Sequence, residues 1–212
     1  MSYVGQTRSS QFIRRLQLAG IGELVCRGEM PPRRHPWVFD NGAYRDWTAG
    51  KQFDVVAFER DIEYIQALPT GVLPAWVVLP DVVAGGLASL SVSESWVSRL
   101  ASVAPLALAV QDGMQIEDIE HLSSSVVALF VGGTTAWKWR TARYWSTNAH
   151  RLGLQCHIGR VGSERWVRLA RDCGADSIDS SQPLWSTENL ERWIRAAKDQ
   201  REQLSLGGPL CA

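Results

Sequence analysis

Short apolar runs alternate with longer amphipathic stretches along most of the chain. Apolar runs of this length, bounded by glycine, proline or polar residues, are typical of buried strands. We predict eight strands, at residues 2–5, 22–27, 37–40, 75–79, 106–110, 126–131 and 154–158, with a last one that follows Gly174 and ends at Asp179.

The stretches between most of these strands place apolar residues three and four positions apart, which is the spacing of one helix face. Segment 28–36 carries three prolines and two arginines and is predicted to be a loop. Repeated strand–helix units imply parallel strands joined by right-handed crossovers. Eight such units close most simply into a single (β/α)8 TIM barrel, which we expect over residues 1–205, with a flexible tail at 206–212. An open, doubly wound sheet is the alternative. Predicted helices cover residues 12–18, 54–67, 91–101, 116–122, 137–152, 164–173 and 188–203.

Composition narrows the class of protein. Hydrophobic residues make up 45% of the 212 residues, which is enough for a large core, and 22 basic residues balance 22 acidic ones, so any basic surface must be local. The four cysteines form no CxxC pair, which argues against a zinc ribbon, an iron–sulfur cluster or a disulfide framework. We expect no metal and no cofactor. Without a signal peptide or an apolar run of membrane length, a cytoplasmic enzyme is expected. The ten tryptophans should mostly pack between helices and barrel, although exposed ones could stack on bases.

Polar residues and glycines follow several of the predicted strands, and in a barrel these positions meet at one mouth. Carboxylates, an amide and a glycine pair suit recognition of a flat, polar heterocycle, on which Tyr44 could stack. One carboxylate could also attack a sugar carbon while a second serves as acid and base. Each residue taken alone has a structural explanation as a turn, a helix cap or a plain loop. The strand-end residues are Asp40, Asp81, Gln111, Gly132, Gly133, Arg160 and Asp179.

The order of these motifs resembles the tRNA-guanine transglycosylase superfamily, including its DNA-acting and phage-encoded relatives. Residues 40–44 (Asp-Asn-Gly-Ala-Tyr) look like the family's Asp-Ser-Gly-Gly-Tyr/Phe, and residues 108–113 are similar to its Gly-Ile-Val-Gln-Gly-Gly. Residues 130–133 stand where the family has Gly-Gly-Leu. Residues 158–163 and 174–179 are similar to its Met-Gly-Val-Gly and Gly-Val-Asp-Met-Phe-Asp segments.

The resemblance implies a barrel enzyme, a glycosyltransferase, that exchanges a base through a covalent nucleotide. Asp179 matches the nucleophile that attacks C1′, and Asp40 matches the general acid and base. Asp176 is the next candidate nucleophile. The remaining matches are to substrate-binding residues: Asp81 and Gln111 for the base edge, Gly132 and Gly133 for the backbone over the base, and Tyr44 for stacking, while Ile158 stands in place of a methionine that packs on the base. Arg160, which follows a predicted strand and could donate to Asp179, is also predicted to bind substrate.

Two departures from the family pattern affect the expected substrate. The family's cysteine-rich zinc segment is absent, since only Cys211 follows Asp179, and Ser-Ser-Gln-Pro at 180–183 replaces a Pro-Thr-Arg. A barrel without the zinc subdomain fits phage-type 7-deazaguanine modification of DNA better than a tRNA enzyme. The expected partners are DNA, or tRNA, and a free 7-deazaguanine base. An N-glycosidase or nucleoside hydrolase, and a non-catalytic barrel that binds modified bases, are the alternatives. Nucleic-acid contacts are predicted at Arg33, Arg34, Lys138, Arg140, Arg143 and Arg165, which could instead be ordinary surface charges.

Overall fold

Eight short parallel strands close into a barrel in the computed structural model of this chain, which describes residues 1–199. Each strand pairs with the next one along the chain, and the last pairs with the first through Tyr3 and Asp179. The predicted (β/α)8 barrel is therefore confirmed, and the alternative of an open sheet is wrong. The strands are β1 (Ser2–Gly5), β2 (Gly22–Cys26), β3 (Trp37–Asp40), β4 (Val77–Val78), β5 (Leu106–Val110), β6 (Ala128–Val131), β7 (Gln155–Ile158) and β8 (Ser177–Ser180).

Helices surround this barrel. Several begin at an N-cap side chain that accepts a hydrogen bond from a backbone N–H of the first turn, as Ser9, Asp54 and Ser163 do. Most of them match the predicted positions, but the helix at residues 43–48 was not predicted. The helices are α1 (Ser10–Leu18), α2 (Ala43–Thr48), α3 (Val55–Gln66), α4 (Leu87–Leu100), α5 (Ile116–Ile119), α6 (Thr135–Arg151), α7 (Glu164–Asp172) and α8 (Thr187–Lys198), with short 3-10 turns at Thr70–Val72, Glu120–Leu122 and Gln182–Trp185.

No helix connects β2 to β3, and the predicted loop there covers the barrel instead. Glu23 of β2 is completely buried beneath this loop. One of its carboxylate oxygens accepts hydrogen bonds from the backbone N–H groups of Arg33 and Arg34, and the other lies 3.4 Å from the Arg34 guanidinium. A buried ion pair with its loop amides thus takes the place that a helix has elsewhere around the barrel.

The core has two layers. Inside the barrel, Tyr3, Val38, Trp76 and Val78 pack with small residues of β5 and β6. The larger layer lies between strands and helices and takes most of the tryptophans, including Trp37, Trp145 and Trp193, as expected. Two tryptophans remain exposed, Trp47 at 53% and Trp185 at 70%.

Within residues 1–199, no helix is both long and apolar enough to span a bilayer, and no three metal-ligating side chains lie together. The last part of the predicted closing helix, residues 200–203, and the predicted tail at 206–212 lie outside the described residues.

Candidate active site

A cavity of about 430 Å³ opens at the carboxyl ends of the strands. This is the mouth where barrel enzymes place their chemistry, and the volume suits a small heterocycle. The predicted residues that line it are Asp40, Tyr44, Asp81, Gln111, Gly132, Gly133, Arg160 and Asp179. The structure therefore brings all but one of the predicted catalytic and substrate-binding residues to the same cavity.

Asp179, at the end of β8, is 9% exposed, and two hydrogen-bond partners hold one of its oxygens. Its Oδ1 lies 3.0 Å from Nε2 of His157 and accepts a hydrogen bond of 3.1 Å from the backbone N–H of Arg160. Gly159 makes this approach possible, because a Cβ there would lie 2.7 Å from the Phe130 ring and 3.3 Å from the same oxygen. Both partners can donate to a carboxylate, so these contacts orient Asp179 for a role as a nucleophile.

Asp40, at the end of β3, lies in an environment that favours its protonated form. Burial raises the pKa of this carboxyl, the nearby charge of Asp179 raises it further, and a 2.7 Å hydrogen bond from the Gly42 N–H offsets part of the increase. The Cys26 thiol lies 3.7 Å from Oδ1, and burial, followed by the charge of Asp40, raises the pKa of that thiol. A carboxyl whose pKa is raised keeps its proton closer to neutral pH and is suited to general acid catalysis.

Asp81 and Gln111 form a pair on the cavity wall. Asn41 Nδ2 donates 2.8 Å to one oxygen of Asp81, and Gln111 Nε2 donates to the other. Burial raises the pKa of Asp81 to about 6. The two hydrogen bonds act to lower this pKa, and the charge of Asp40 acts to raise it. Gln111 Nε2 also lies 3.2 Å from Ser89 Oγ, so the amide is fixed, and its Oε1 is buried with no partner among the described residues. An N–H donor on a bound ligand would satisfy that oxygen.

Arg160 closes one side of the mouth. Its guanidinium lies 4.3 Å from the centre of the Tyr44 ring and donates to the carbonyl oxygen of Gly133 at 2.5 Å. Its backbone is left-handed, with φ of 60°, a conformation that L-residues seldom adopt and that clusters at functional sites. Gly133 is also left-handed, and a Cβ there would lie 2.5 Å from Asp112 Oδ2. The mouth is thus built from backbone conformations that few substitutions could reproduce.

The prediction that Ile158 binds the substrate is wrong. It is completely buried in the layer between barrel and helices and does not line the cavity. Asp176, the alternative nucleophile, lies at the start of β8, where it accepts hydrogen bonds from the Cys156 N–H and from His150. That is the opposite end of the barrel from the mouth, so Asp176 cannot take the role of Asp179.

Two of the predicted nucleic-acid contacts are wrong. Arg34 is 1% exposed and its guanidinium bonds to backbone carbonyls of β1 and β2. Lys138 is 2% exposed, and its ammonium donates to the carbonyl oxygen of Gly159. Burial lowers the pKa of Lys138 to about 8, aided by Arg160 and opposed by Asp179. This lysine therefore belongs to the interior beneath the site.

The other predicted basic contacts are exposed but dispersed. Arg143 donates to the carbonyl oxygen of Asp172 at the end of α7, far from the mouth. Arg165 lies at the start of α7, beside the mouth, and Arg140 lies on the outer face of α6. Arg33 lines a second, polar hollow of about 310 Å³ beside the mouth, together with Arg8. The roles of Arg33, Arg140 and Arg165 in nucleic-acid binding stay predictions.

His157 is not among the predicted site residues, yet it is completely buried inside the barrel and reaches Asp179. Alternation along β7 contained the signal: Cys156 and Ile158 pack in the outer layer, so the residue between them faces inward. The unpredicted helix α2 positions Tyr44 at the mouth, after a turn in which Asn41 Oδ1 accepts from the Ala43 N–H at 2.8 Å.

Comparison with known proteins finds no protein-family model and no curated protein that matches this chain.

Proposed function

We propose that this protein is a base-exchanging transglycosylase, which replaces guanine in a nucleic acid, with DNA the first candidate, by a 7-deazaguanine through a covalent nucleotide on Asp179. The observation that carries the proposal is that three carboxyl groups with different surroundings line one cavity. Asp179 is held by donors, Asp40 is biased toward its protonated form by burial, and Asp81 is paired with an amide. Two carboxyl groups of opposed character are what glycosyl transfer requires.

In the proposed reaction, Asp179 attacks C1′ of the target nucleotide. The bond between C1′ and the guanine nitrogen breaks, its electron pair goes to the base, and the base takes a proton from Asp40. The incoming 7-deazaguanine then loses a proton to Asp40, and its nitrogen displaces the carboxylate of Asp179 from C1′. Each residue thereby returns to its starting state, so no metal or cofactor is needed for balance.

The cavity also offers what a purine-like base would need. The unpartnered Oε1 of Gln111 and the carboxylate of Asp81 are acceptors for the N–H groups of a guanine edge. The ring of Tyr44 lies against the guanidinium of Arg160, and both line the cavity, where an aromatic ligand could stack. Binding a base would satisfy a buried acceptor that otherwise costs about 1–3 kcal/mol.

Features around the mouth are compatible with a polynucleotide rather than a free nucleoside. Trp185 lines the cavity yet is 70% exposed, which suits stacking of a neighbouring base. Arg8 and Arg33 line the adjacent polar hollow, where cationic side chains could contact phosphates. Since bases inside a duplex cannot reach such a cavity, the target nucleotide would have to be unstacked or single-stranded.

The test is incubation with DNA and with tRNA, each with labelled guanine or a candidate 7-deazaguanine, followed by nucleoside mass spectrometry. We expect label in the polymer and a protein–nucleic acid adduct on denaturing gels. Asp179→Asn should abolish the adduct while base binding persists, and Asp40→Asn should weaken base binding and slow turnover. Abasic polymer without incorporation would favour an N-glycosidase, and binding without chemistry would favour a non-catalytic barrel. Full activity in both variants would refute the proposed roles.

A further inference from the structure

The interior of the barrel contains one histidine surrounded by aromatic rings. His157 is completely buried, and its ring centre lies 4.7 Å from that of Phe130, 5.1 Å from that of Trp76 and 6.1 Å from that of Tyr3. A polar ring placed in such a cage is costly unless both nitrogens are hydrogen-bonded. Its position beneath the mouth therefore calls for an explanation in terms of the bonds it makes.

Both nitrogens of His157 have partners. Nδ1 lies 2.8 Å from the hydroxyl of Ser177, and Nε2 lies 3.0 Å from Oδ1 of Asp179. An ionised carboxylate can only accept, so a hydrogen bond to Asp179 requires the proton on Nε2. Ser177 can donate or accept, and its hydroxyl therefore adapts to the ring. The chain Ser177–His157–Asp179 thus runs from the barrel interior to the proposed nucleophile.

We infer that His157 is a positioning residue that fixes which oxygen of Asp179 attacks the sugar. This inference rests on the proposed function. Two donors converge on Oδ1, the Nε2–H of His157 and the backbone N–H of Arg160. Among the described residues, no donor reaches Oδ2, which leaves that oxygen free to attack.

The same arrangement serves both halves of the reaction. During attack, Oδ2 forms the new bond to C1′ and Oδ1 becomes the carbonyl oxygen of the ester, still held by its two donors. When the incoming base displaces the ester, negative charge returns to the carboxylate, and donors already in place stabilise it as a leaving group. His157 exchanges no proton in either step, so its role is to orient Asp179 and to support its charge.

The hydrogen bond can be tested without any substrate. In protein labelled with 15N-histidine, we expect the His157 ring, assigned by its loss in His157→Gln, to carry a proton on Nε2. A ring that is unprotonated at Nε2 would overturn the inference. Of the four histidines in the sequence, His150 provides a matched control, because it also bonds to an aspartate, Asp176, but at the other end of the barrel.

The positioning role requires a second readout, the rate of adduct formation. His157→Phe fills the aromatic cage but removes the donor, and we expect adduct formation to slow about 10- to 100-fold, the range for loss of one hydrogen bond to a charged group. The affinity for free guanine should be unchanged, because the hydrogen bonds of His157 go to Ser177 and Asp179 and not to Asp81 or Gln111. His157→Gln, whose amide N–H can reach the carboxylate, should recover most of the rate, and His150→Gln should have no effect.

The outcomes separate the two ideas. If the wild-type protein forms no adduct with DNA or tRNA, the proposed function is wrong, whatever the state of the histidine ring. If the wild type forms the adduct and His157→Phe forms it equally fast while folded, by near-ultraviolet circular dichroism, only the role of His157 is refuted. Parallel losses of base binding and adduct in His157→Phe would indicate a merely structural role. In that case His157→Gln would not restore the rate of adduct formation independently of base binding.

Discussion

Asp81→Asn should make the protein more stable and, at the same time, unable to bind a base. The pKa of Asp81 is raised from its ordinary 3.8 to about 6, mainly by burial. Each pKa unit corresponds to about 1.4 kcal/mol, so the ionised carboxylate costs the folded state up to about 3 kcal/mol at neutral pH. Asparagine carries no charge, and its oxygen can still accept from Asn41. In the wild type the bonds to Asp81 and Ser89 fix the Gln111 amide, but in Asp81→Asn it can turn, so that its oxygen accepts from the new Nδ2 and from the Ser89 hydroxyl.

The sign of the effect depends on pH. Between pH 4 and pH 6 the folded protein binds a proton at Asp81 that the unfolded chain has released. The destabilising contribution is therefore absent below about pH 4 and complete above about pH 6. We expect Asp81→Asn to melt up to about 6–12 °C higher than the wild type at pH 8, since 1 kcal/mol corresponds to about 2–4 °C at this chain length. The difference should vanish near pH 4.

Asp46 provides a control of opposite sign. Burial alone would raise its pKa, but hydrogen bonds from the Arg27 guanidinium and the Asp54 N–H outweigh this and leave the pKa lowered. Asp46→Asn should therefore destabilise the protein, and more so at pH 8 than at low pH. Equal stability of Asp81→Asn and wild type at pH 8, or a gain that persists unchanged at pH 4, would refute the reasoning about burial. Calorimetric titration with free guanine tests the accompanying loss of binding.

Two further substitutions test the buried cation and the exposed rim. Because the folded pKa of Lys138 is about 8 against 10.5, the cost of its buried charge is complete below pH 8 and relieved toward pH 10.5. At pH 7, Lys138→Met should therefore raise the free energy of unfolding by about 1–2 kcal/mol, after allowance for the lost bond to Gly159. Near pH 10.5 it should give no increase. Denaturant unfolding at both pH values tests this, and no increase at pH 7 would contradict it. Trp185→Ala should change the free energy of unfolding by less than about 0.5 kcal/mol but weaken binding of single-stranded DNA, measured by fluorescence anisotropy, by about 1–3 kcal/mol. Trp47 is exposed but lies outside the cavity, so Trp47→Ala should leave DNA binding unchanged. Equal effects of the two substitutions would exclude a role for Trp185 in stacking.

Much of the fold was predictable because a barrel repeats one simple pattern. Apolar runs and amphipathic stretches alternate regularly, and the strand ends of parallel units must share one edge. Asp40, Asp81, Gln111 and Asp179 could therefore be assigned to a common mouth from position alone. Helix α2 was missed because its six residues are too few to show a helical period, and because it begins after a left-handed Gly42.

The errors concern the direction of side chains. Lys138 was assigned to the surface because of its charge, yet it shares the inward face of α6 with Ala142, Trp145 and Ala149. That spacing is helical and could have revealed its burial. The assignment of Ile158 in place of its neighbour His157 followed motif alignment rather than strand alternation. Hydrogen bonds such as the one between His157 and Asp179 join residues of neighbouring strands, so no local sequence pattern predicts them.

The charge of Asp179 is one of the influences that bias Asp40 toward the acid role, and this influence can be measured directly. The charge of Asp179 contributes to the raised pKa of Asp40, after burial and against a bond from Gly42. Removing that charge in Asp179→Asn should therefore lower the pKa of Asp40, while burial keeps it above the ordinary 3.8. Titration of the Asp40 carboxyl carbon by 13C NMR in both proteins gives the answer without any substrate.

An unchanged pKa of Asp40 in Asp179→Asn would mean that the two carboxyl groups do not interact electrostatically. Burial alone would then have to account for the raised pKa of Asp40, and the contribution of the Asp179 charge would be refuted. A lowered pKa would instead show that the charge of Asp179 helps to keep the proton on Asp40. In that case, covalent attachment of the sugar to Asp179, which removes its charge, would itself lower the pKa of Asp40. Asp40 would become a carboxylate at the point where the proposed mechanism needs a base to accept the proton of the incoming 7-deazaguanine.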